Sequence, residues 1–259
     1  SEMCIRDSYM FLMIYGAMVM QSVIEEKSSR VLEVVVSSVR PFELMMGKIF
    51  GVASVAVVQV LIWAVLVCGA GAAVMPHVLP DGAMEAAAAL QQGGGAATAA
   101  AGDFDPETLG AIALATDVSY LAMLFGYLLL FVVGGYLLYS AMFAAVGSAV
   151  DNAQDAAQLQ TPIMIPIILA VIVEMSVLND PNSPLAFWFS LIPFTSPVVM
   201  MARIPYGIPT WEIVLSLVLL YAAFVGMVWL SAKIYRVGIF MYGKKPTLRE
   251  MFRWIRYKY

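Results

Sequence analysis

One long segment of this chain mixes acids and bases in an amphipathic pattern, residues 21–48 (QSVIEEKSSRVLEVVVSSVRPFELMMGK). It holds the acids Glu25, Glu26, Glu33 and Glu43 and the bases Lys27, Arg30, Arg40 and Lys48. Glu26 and Arg30 have the i,i+4 acid-before-base spacing that supports a helix, and Pro41 with Glu43 suits the first turn of a second helix. The segment is either a solvated connector between two membrane spans or a docking element for a soluble partner.

Conventional enzyme motifs do not occur in the sequence. Gly47-Lys48 lacks the upstream glycine and the following hydroxyl of a phosphate-binding loop. No Gly-x-Ser-x-Gly nucleophile elbow is present, and His77 is the only histidine. The two cysteines, Cys4 and Cys68, imply neither a disulfide framework nor a metal site. We therefore expect no catalytic, cofactor or metal site, and a protein that conducts, carries or assembles.

The elements that position these charges are mostly apolar. Of 259 residues, 62% are hydrophobic and 12% charged, against about a quarter charged in soluble domains. The composition predicts an all-α integral membrane protein with five transmembrane helices, at about 9–24, 49–75, 118–150, 162–178 and 211–235. Residues 1–8 (SEMCIRDS) resemble translated adapter sequence and are expected to be artefactual. The short first span then predicts that N-terminal sequence is missing.

The connecting segments differ in charge. Residues 76–117 hold acids but no Lys or Arg and predict an Ala/Gly-rich surface loop, with an acidic ion-attracting mouth as the alternative. The Pro-broken residues 179–210 predict short helices at, or dipping into, the outer leaflet. Residues 151–161 predict a short polar turn. Bases concentrate in residues 21–48 and in the tail at 236–259, so the positive-inside rule places both, with the 151–161 turn, in the cytoplasm.

Small and polar residues within the spans are the remaining candidates. The spacings of Gly47 with Gly51, and of Ser140 with Ala144 and Ser148, predict close helix packing. Gln59 predicts either an interhelical hydrogen bond or a substrate contact. Glu174 is a candidate functional acid because an intramembrane charge is costly, although the interface could also hold it. These two residues are the candidates for a substrate path.

Three stretches of the sequence are similar to one known family. EEKSSRVLEVVVSSVRPFELMMGKIFG resembles the first cytoplasmic segment of permeases of type-2 ABC exporters. IPFTSPVVMMAR resembles their extracytoplasmic helical hairpin before the last span, and YRVGIFMYGKKPTLREMFRW resembles the C-terminal end of the sodium-efflux, NatB-like branch. The family has six spans with a large extracytoplasmic domain after the first. This chain begins at what would be the second span.

The resemblance implies a permease subunit in the bacterial plasma (inner) membrane. It would pair with a second permease half, identical or different, and bind two cytoplasmic ATPase subunits that hold the ATP and Mg²⁺, with no cofactor on this chain and no nucleic acid. The coupling helix falls on residues 25–39, where Glu25, Glu26, Arg30 and Glu33 would meet the ATPase. The substrate would pass between the two halves. Sodium or an amphipathic lipid or drug would be the cargo.

Two functions of other classes stay open at this point. One is an ATP-independent channel or secondary carrier, which calls for inverted repeats or buried charged sites. The other is a membrane scaffold that only assembles with partners. Copurification of an ATPase distinguishes the exporter from both, whereas ion flux without nucleotide favours the channel or carrier.

Overall fold

The computed structural model describes residues 2–29, 40–78 and 117–238. In these ranges all regular structure is helical. The helices are α1 (Glu2–Ser28), α2 (Pro41–Val78), α3 (Val118–Ala149), α4 (Ala153–Asn179), α5 (Pro184–Leu191), α6 (Ser196–Arg203) and α7 (Thr210–Gly238), with a 3₁₀ turn at Ile204–Tyr206. The all-α prediction is therefore confirmed for the described part of the chain.

Four of these helices are long and apolar enough to cross a membrane. They contain the segments Phe42–Gly71, Ser119–Ala149, Gln154–Asn179 and Thr210–Gly238. These segments match the second to fifth predicted spans. The first predicted span, residues 9–24, lies within α1, which does not meet the same criteria of length and composition. The count of five spans stays a prediction.

The chain divides into two compact units, residues 1–57 with 130–259, and residues 58–129. In the second unit, the described residues are the later part of α2 and the first part of α3. Leu61, Trp63 and Val65 are exposed there, as apolar side chains facing lipid would be. The remaining description concerns the first unit, which contains all the ion pairs found in the described residues.

The core of the first unit is built around the second half of α3. From Phe131 to Val150 almost every side chain is buried, and small residues allow the neighbouring helices to approach closely. A Cβ added to Gly135 would lie 2.7 Å from Cβ of Pro197, so only glycine permits this contact between α3 and α6. The small-residue composition of α3 thus determines how closely α6 can pack.

The Pro-broken segment forms two short helices, α5 and α6, which we call the hairpin, and their position at the outer leaflet stays a prediction. The hydroxyl of Ser183 accepts a hydrogen bond from the Ala186 backbone N–H and caps the N-terminus of α5. All eight residues of α6 are buried, and α6 packs against α1, α4, α5 and α7. The Tyr139 hydroxyl donates to the Phe194 carbonyl at 2.6 Å, which attaches the connection between α5 and α6 to α3.

Two predicted boundaries differ from the structure. The polar turn predicted at 151–161 is confined to its first residues, because α4 begins at Ala153 and continues through Pro162 and Pro166. The high helix propensities of Ala, Gln and Leu outweigh the polarity from which the turn was inferred. The helix of the second span also continues to Val78, beyond the predicted end at Met75.

Candidate functional site

The candidate site is a set of buried polar contacts where α1, α3 and α7 end together. Lys27, in the last turn of α1, is 0% exposed. Its ammonium donates to the backbone carbonyls of Ser148 and Gly238, at 2.8 Å each, and lies 3.0 Å from Asp151 Oδ1. We call these four residues the Lys27 cluster. An ammonium has three N–H donors, so the three contacts account for its hydrogen-bonding capacity.

The geometry of the Lys27 cluster follows from the chemistry of helix ends. Ser148 lies in the last turn of α3, and Gly238 is the last residue of α7 that the structure describes. Carbonyl groups in the last turn of a helix have no intrahelical donor, and they carry the negative end of the helix dipole. One lysine therefore satisfies a carbonyl at the C-terminus of α3 and also donates to the Gly238 carbonyl of α7. The ammonium fastens α1 to both helices.

Close approach of the helices makes this arrangement possible. A Cβ added to Gly238 would lie 2.7 Å from the Ser148 carbonyl oxygen, and one added to Gly147 would lie 2.8 Å from the Met20 carbonyl oxygen. Backbone atoms cannot move aside as a flexible side chain can. The end of α3 therefore accepts both α7 and α1 only because glycine is present at each contact.

Electrostatics in the Lys27 cluster reflect competition between burial and pairing. Burial lowers the pKa of Lys27 from its ordinary value, while the hydrogen bond and charge of Asp151 act in the opposite direction. Asp151 is 27% exposed, so its carboxylate reaches water at the edge of the cluster. The cluster is consequently dry on the lysine side and partly hydrated on the carboxylate side.

A second cation connects α1 to α2 beside the Lys27 cluster. Lys48 Nζ lies 2.6 Å from Glu26 Oε2, and donates to the Ser22 hydroxyl at 3.1 Å and the Ser22 carbonyl at 3.2 Å. Glu26 and Lys48 lie near opposite ends of the charged segment at 21–48. The ion pair therefore brings the two ends of that segment together.

A third buried cation, Arg203, lies at the other end of α7. It is 2% exposed, its Nε donates to the Pro181 carbonyl at 2.9 Å, and its Nη1 donates to the Ser190 hydroxyl at 2.6 Å. Nη1 is also 2.9 Å from Glu212 Oε2, in the first turn of α7. We call these four residues the Arg203 cluster. The Ser216 hydroxyl donates to the Ser190 carbonyl at 2.7 Å, which adds a contact between α5 and α7.

The structure describes two of the four residues that are predicted to meet an ATPase. Glu25 is exposed at the end of α1, and Glu26 is half-buried in its pair with Lys48. Arg30 and Glu33 lie outside the described residues. The role of all four in binding a partner stays a prediction.

The predicted packing and path residues have different surroundings. Ser140, Ala144 and Ser148 are fully buried in the core around α3. Gly47 and Gly51 are exposed, and no atom lies within 4 Å of a Cβ added to either of them. Glu174 is 7% exposed within α4, whereas Gln59 is exposed on α2. Their contribution to a substrate path stays a prediction.

Sequence reasoning missed the roles of Lys27, Arg203 and Glu212. Each is a charged residue next to an apolar helix, and a buried charge has to be paired. That signal marks them as candidates for ion pairs. The choice of partners depends on which helix ends meet, and the sequence alone does not reveal those contacts.

The described residues form an all-helical bundle in which four apolar helices are long enough to cross a membrane, and this indicates an integral membrane protein. The family model described as ABC-2 family transporter protein matches residues 8–233. The chain belongs to this family.

Two curated relatives are similar along almost the whole chain. "Uncharacterized protein YhaP" of Bacillus subtilis is 27% identical over 244 residues, which cover 94% of this chain and 52% of the relative. "Uncharacterized protein MJ1024" of Methanocaldococcus jannaschii is 28% identical over 247 residues, which cover 95% of this chain and 51% of the relative. The chain thus spans about half the length of the curated relatives it matches. No solved structure matches it.

Proposed function

We propose that this chain is the permease subunit of an ATP-driven exporter of the type-2 ABC class, in the NatB-like branch. In this proposal, residues 25–48 form the cytoplasmic coupling segment that meets a separate ATPase. Membership in the ABC-2 transporter family supports a membrane component. The chain itself hydrolyses no ATP, and the partner subunit holds the ATP and Mg²⁺.

The observation that carries the proposal is the anchoring of this segment at both ends. The ion pair of Glu26 with Lys48 joins the two ends of the segment, which we call its base. Lys27 then attaches that base to the ends of α3 and α7. A plain connector needs no buried cations at its base. A segment that receives force from a soluble partner does need a firm attachment to the spans.

The same contacts support a cytoplasmic position for this end of the bundle. Charge counting assigns three separate parts of the chain to the cytoplasm: residues 21–48, the 151–161 region and the tail at 236–259. Lys27, Asp151 and Gly238 come from these three parts, and Lys27 contacts both of the others. Residues in contact share one side of the membrane, so the three assignments agree with each other.

For the cargo, we propose an amphipathic compound such as a lipid or drug in preference to bare sodium. A bare sodium ion calls for several oxygen ligands, and the predicted spans hold few polar side chains. Exposed apolar side chains dominate the long helices of the described part of the chain. The substrate passes along an interface with a second permease half, which is an identical or a different chain.

Copurification tests the coupling role. The full-length protein is coexpressed with the ATPase encoded nearest to it, and binding and ATP hydrolysis are measured in lipid nanodiscs. We expect Arg30→Glu or Glu33→Arg to weaken binding or uncouple hydrolysis. The control Arg236→Glu, an exposed charge reversal at the end of α7, leaves both unchanged. If no ATPase copurifies with the wild type, the proposal is wrong and residues 21–48 are a connector.

Transport assays test the cargo. Proteoliposomes that contain the complex are loaded with radioactive sodium or with a fluorescent lipid analogue. We expect ATP-dependent movement of the lipid analogue. ATP-dependent sodium movement without lipid movement would contradict the amphipathic cargo, and ion flux without ATP would favour a channel or carrier.

A further inference from the structure

Helix α7 is held at both ends by a buried cation from another helix. At its first turn, Glu212 pairs with Arg203 of α6. At its last residue, the Gly238 carbonyl accepts a hydrogen bond from Lys27 of α1. The two contact points are 26 residues apart in one continuous helix, which corresponds to about 39 Å at 1.5 Å per residue. The two cation clusters are therefore at opposite ends of one helix.

We propose that α7 transmits movement between these ends, with Lys27 and Arg203 as its positioning residues. A displacement of the end of α1 by the partner ATPase shifts α7 through Lys27. Helix α7 then shifts the α5–α6 hairpin through Glu212 and Arg203. The inference rests on the proposed function, because the partner ATPase supplies the displacement.

The contacts at the two ends resist separation more than those between them. Lys27 and Arg203 each make three polar contacts, and breaking a buried pair leaves a charge without its partner. Between the ends, the Tyr221 hydroxyl donates one neutral hydrogen bond to the Leu130 carbonyl of α3 at 3.1 Å, and Val218, Val225 and Trp229 are exposed. A single neutral hydrogen bond constrains the helix less than the two buried cations do, and helix shifts of about 1–2 Å are common in switching proteins. An axial shift of α7 therefore preserves the ends while the middle slides.

The Arg203 cluster connects α7 to the entire hairpin. Arg203 belongs to α6, Ser190 to α5, and Pro181 to the turn that precedes α5. Ser216 of α7 also donates to the Ser190 carbonyl. A movement of the first turn of α7 consequently reaches both hairpin helices and the turn before them.

The test measures movement at the hairpin when the change is made at the other end of α7. In the full-length protein, bound to its ATPase in nanodiscs, Cys68 and any other native cysteine are replaced by serine, and a single cysteine is introduced by Asn182→Cys. Asn182 is exposed in the turn next to Pro181. The rate of maleimide labelling is compared without nucleotide and with ATP plus vanadate. We expect the wild-type rate to change several-fold.

The ratio of the labelling rate with ATP plus vanadate to the rate without nucleotide measures the response of the hairpin. We expect Lys27→Met to bring this ratio to about one, while the ATPase still copurifies. Lys233→Met is the matched control, because Lys233 lies near the same end of α7 but contacts the ring of Trp229 on its own helix. The control should retain the wild-type ratio. Asp151→Asn weakens the same cluster at a partly hydrated position and serves if Lys27→Met does not fold. We expect Asp151→Asn to bring the ratio closer to one than in the wild type, but not to one.

The remaining outcomes separate this inference from the proposed function. If the ATPase binds and the wild-type rate responds to nucleotide, but Lys27→Met and Asp151→Asn respond equally, the transmission through α7 is wrong and the exporter proposal stands. The same conclusion follows if the ATPase binds and hydrolyses ATP but the wild-type hairpin shows no response. If no ATPase binds, both proposals fail.

Discussion

Replacing Lys27 by methionine tests whether the Lys27 cluster holds the helix ends together. Methionine preserves the length and the apolar contacts of the side chain but removes the ammonium. The carbonyls of Ser148 and Gly238 then lose the donor that lies 2.8 Å from each of them. The ends of α3 and α7 lose their common attachment to α1. We expect a less stable bundle, measured by thermal unfolding in detergent.

The size of the effect follows from two opposing contributions. Hydrogen bonds from a charged donor contribute about 1.5–3 kcal/mol each, so two of them contribute roughly 3–6 kcal/mol. Burial acts against this, because it lowers the pKa of Lys27 more than Asp151 raises it. Removing the ammonium relieves a desolvation cost of a few kcal/mol. We expect a net loss of about 2 kcal/mol, or about 4–8 °C in Tm for a chain of this size.

The control for this experiment is Lys233→Met, which removes a half-buried lysine whose ammonium lies 3.8 Å from the centre of the Trp229 ring. A contact of this kind contributes about 0.5–1 kcal/mol when exposed, so its Tm should fall by about 1–4 °C at most. The reasoning is refuted if Lys27→Met unfolds at the wild-type temperature. It is also refuted if Lys27→Met and Lys233→Met unfold at the same temperature.

Three further predictions concern the same helix ends. Burial lowers the pKa of Lys27 below 10.5, so at pH values just below 10.5 the folded state binds fewer protons than the unfolded state. The free energy of unfolding should therefore rise as the pH approaches 10.5, and it should rise less in Lys27→Met. Equal dependence on pH in the wild type and in Lys27→Met would contradict this. Gly238→Ala places a Cβ 2.7 Å from a backbone oxygen of α3 and should lower the free energy of unfolding by about 1–3 kcal/mol. Gly226 lies on the same helix with no atom within 4 Å of an added Cβ, so Gly226→Ala should be neutral or stabilising in the same thermal assay. Glu212→Gln removes the charge paired with the buried guanidinium of Arg203 and should lower the free energy of unfolding by about 3 kcal/mol. The control Glu43→Gln changes an exposed acid and should leave the Tm unchanged. Similar Tm values for the two variants would contradict the Arg203 cluster.

Much of the fold is predictable because membrane helices are specified by long apolar runs. The second to fifth predicted spans each fall within a helix of the structure, and the Pro-broken segment forms two short helices. The boundaries are less predictable. Helix α4 begins at Ala153 because local helix propensity continues past the point where the sequence turns polar. Composition defines the apolar stretch, whereas the helix continues for as long as its backbone hydrogen bonds are favourable.

The candidate site is less predictable than the fold because it depends on contacts between distant segments. Lys27 is 121 residues from Ser148 and 211 residues from Gly238 along the chain. The sequence identifies a charged segment and three regions assigned to the same side of the membrane. It does not indicate that a single lysine joins all three. The sequence likewise does not indicate that Glu26 pairs with Lys48 of α2, while its i,i+4 pairing with Arg30 stays a prediction because Arg30 lies outside the described residues.

The two cation clusters together explain why a chain with few charges keeps some of them buried. A buried ion pair is weak evidence for stability, because desolvation offsets much of the attraction. Its geometry is nevertheless specific: Lys27 requires two helix ends and a carboxylate, and Arg203 requires three separate segments and Glu212. Apolar residues could fill the same space with less constraint on position. Contacts of this kind are therefore suited to fixing the position of α7 relative to α1 and to the hairpin. A helix that transmits movement between two elements needs such a fixed position relative to each of them.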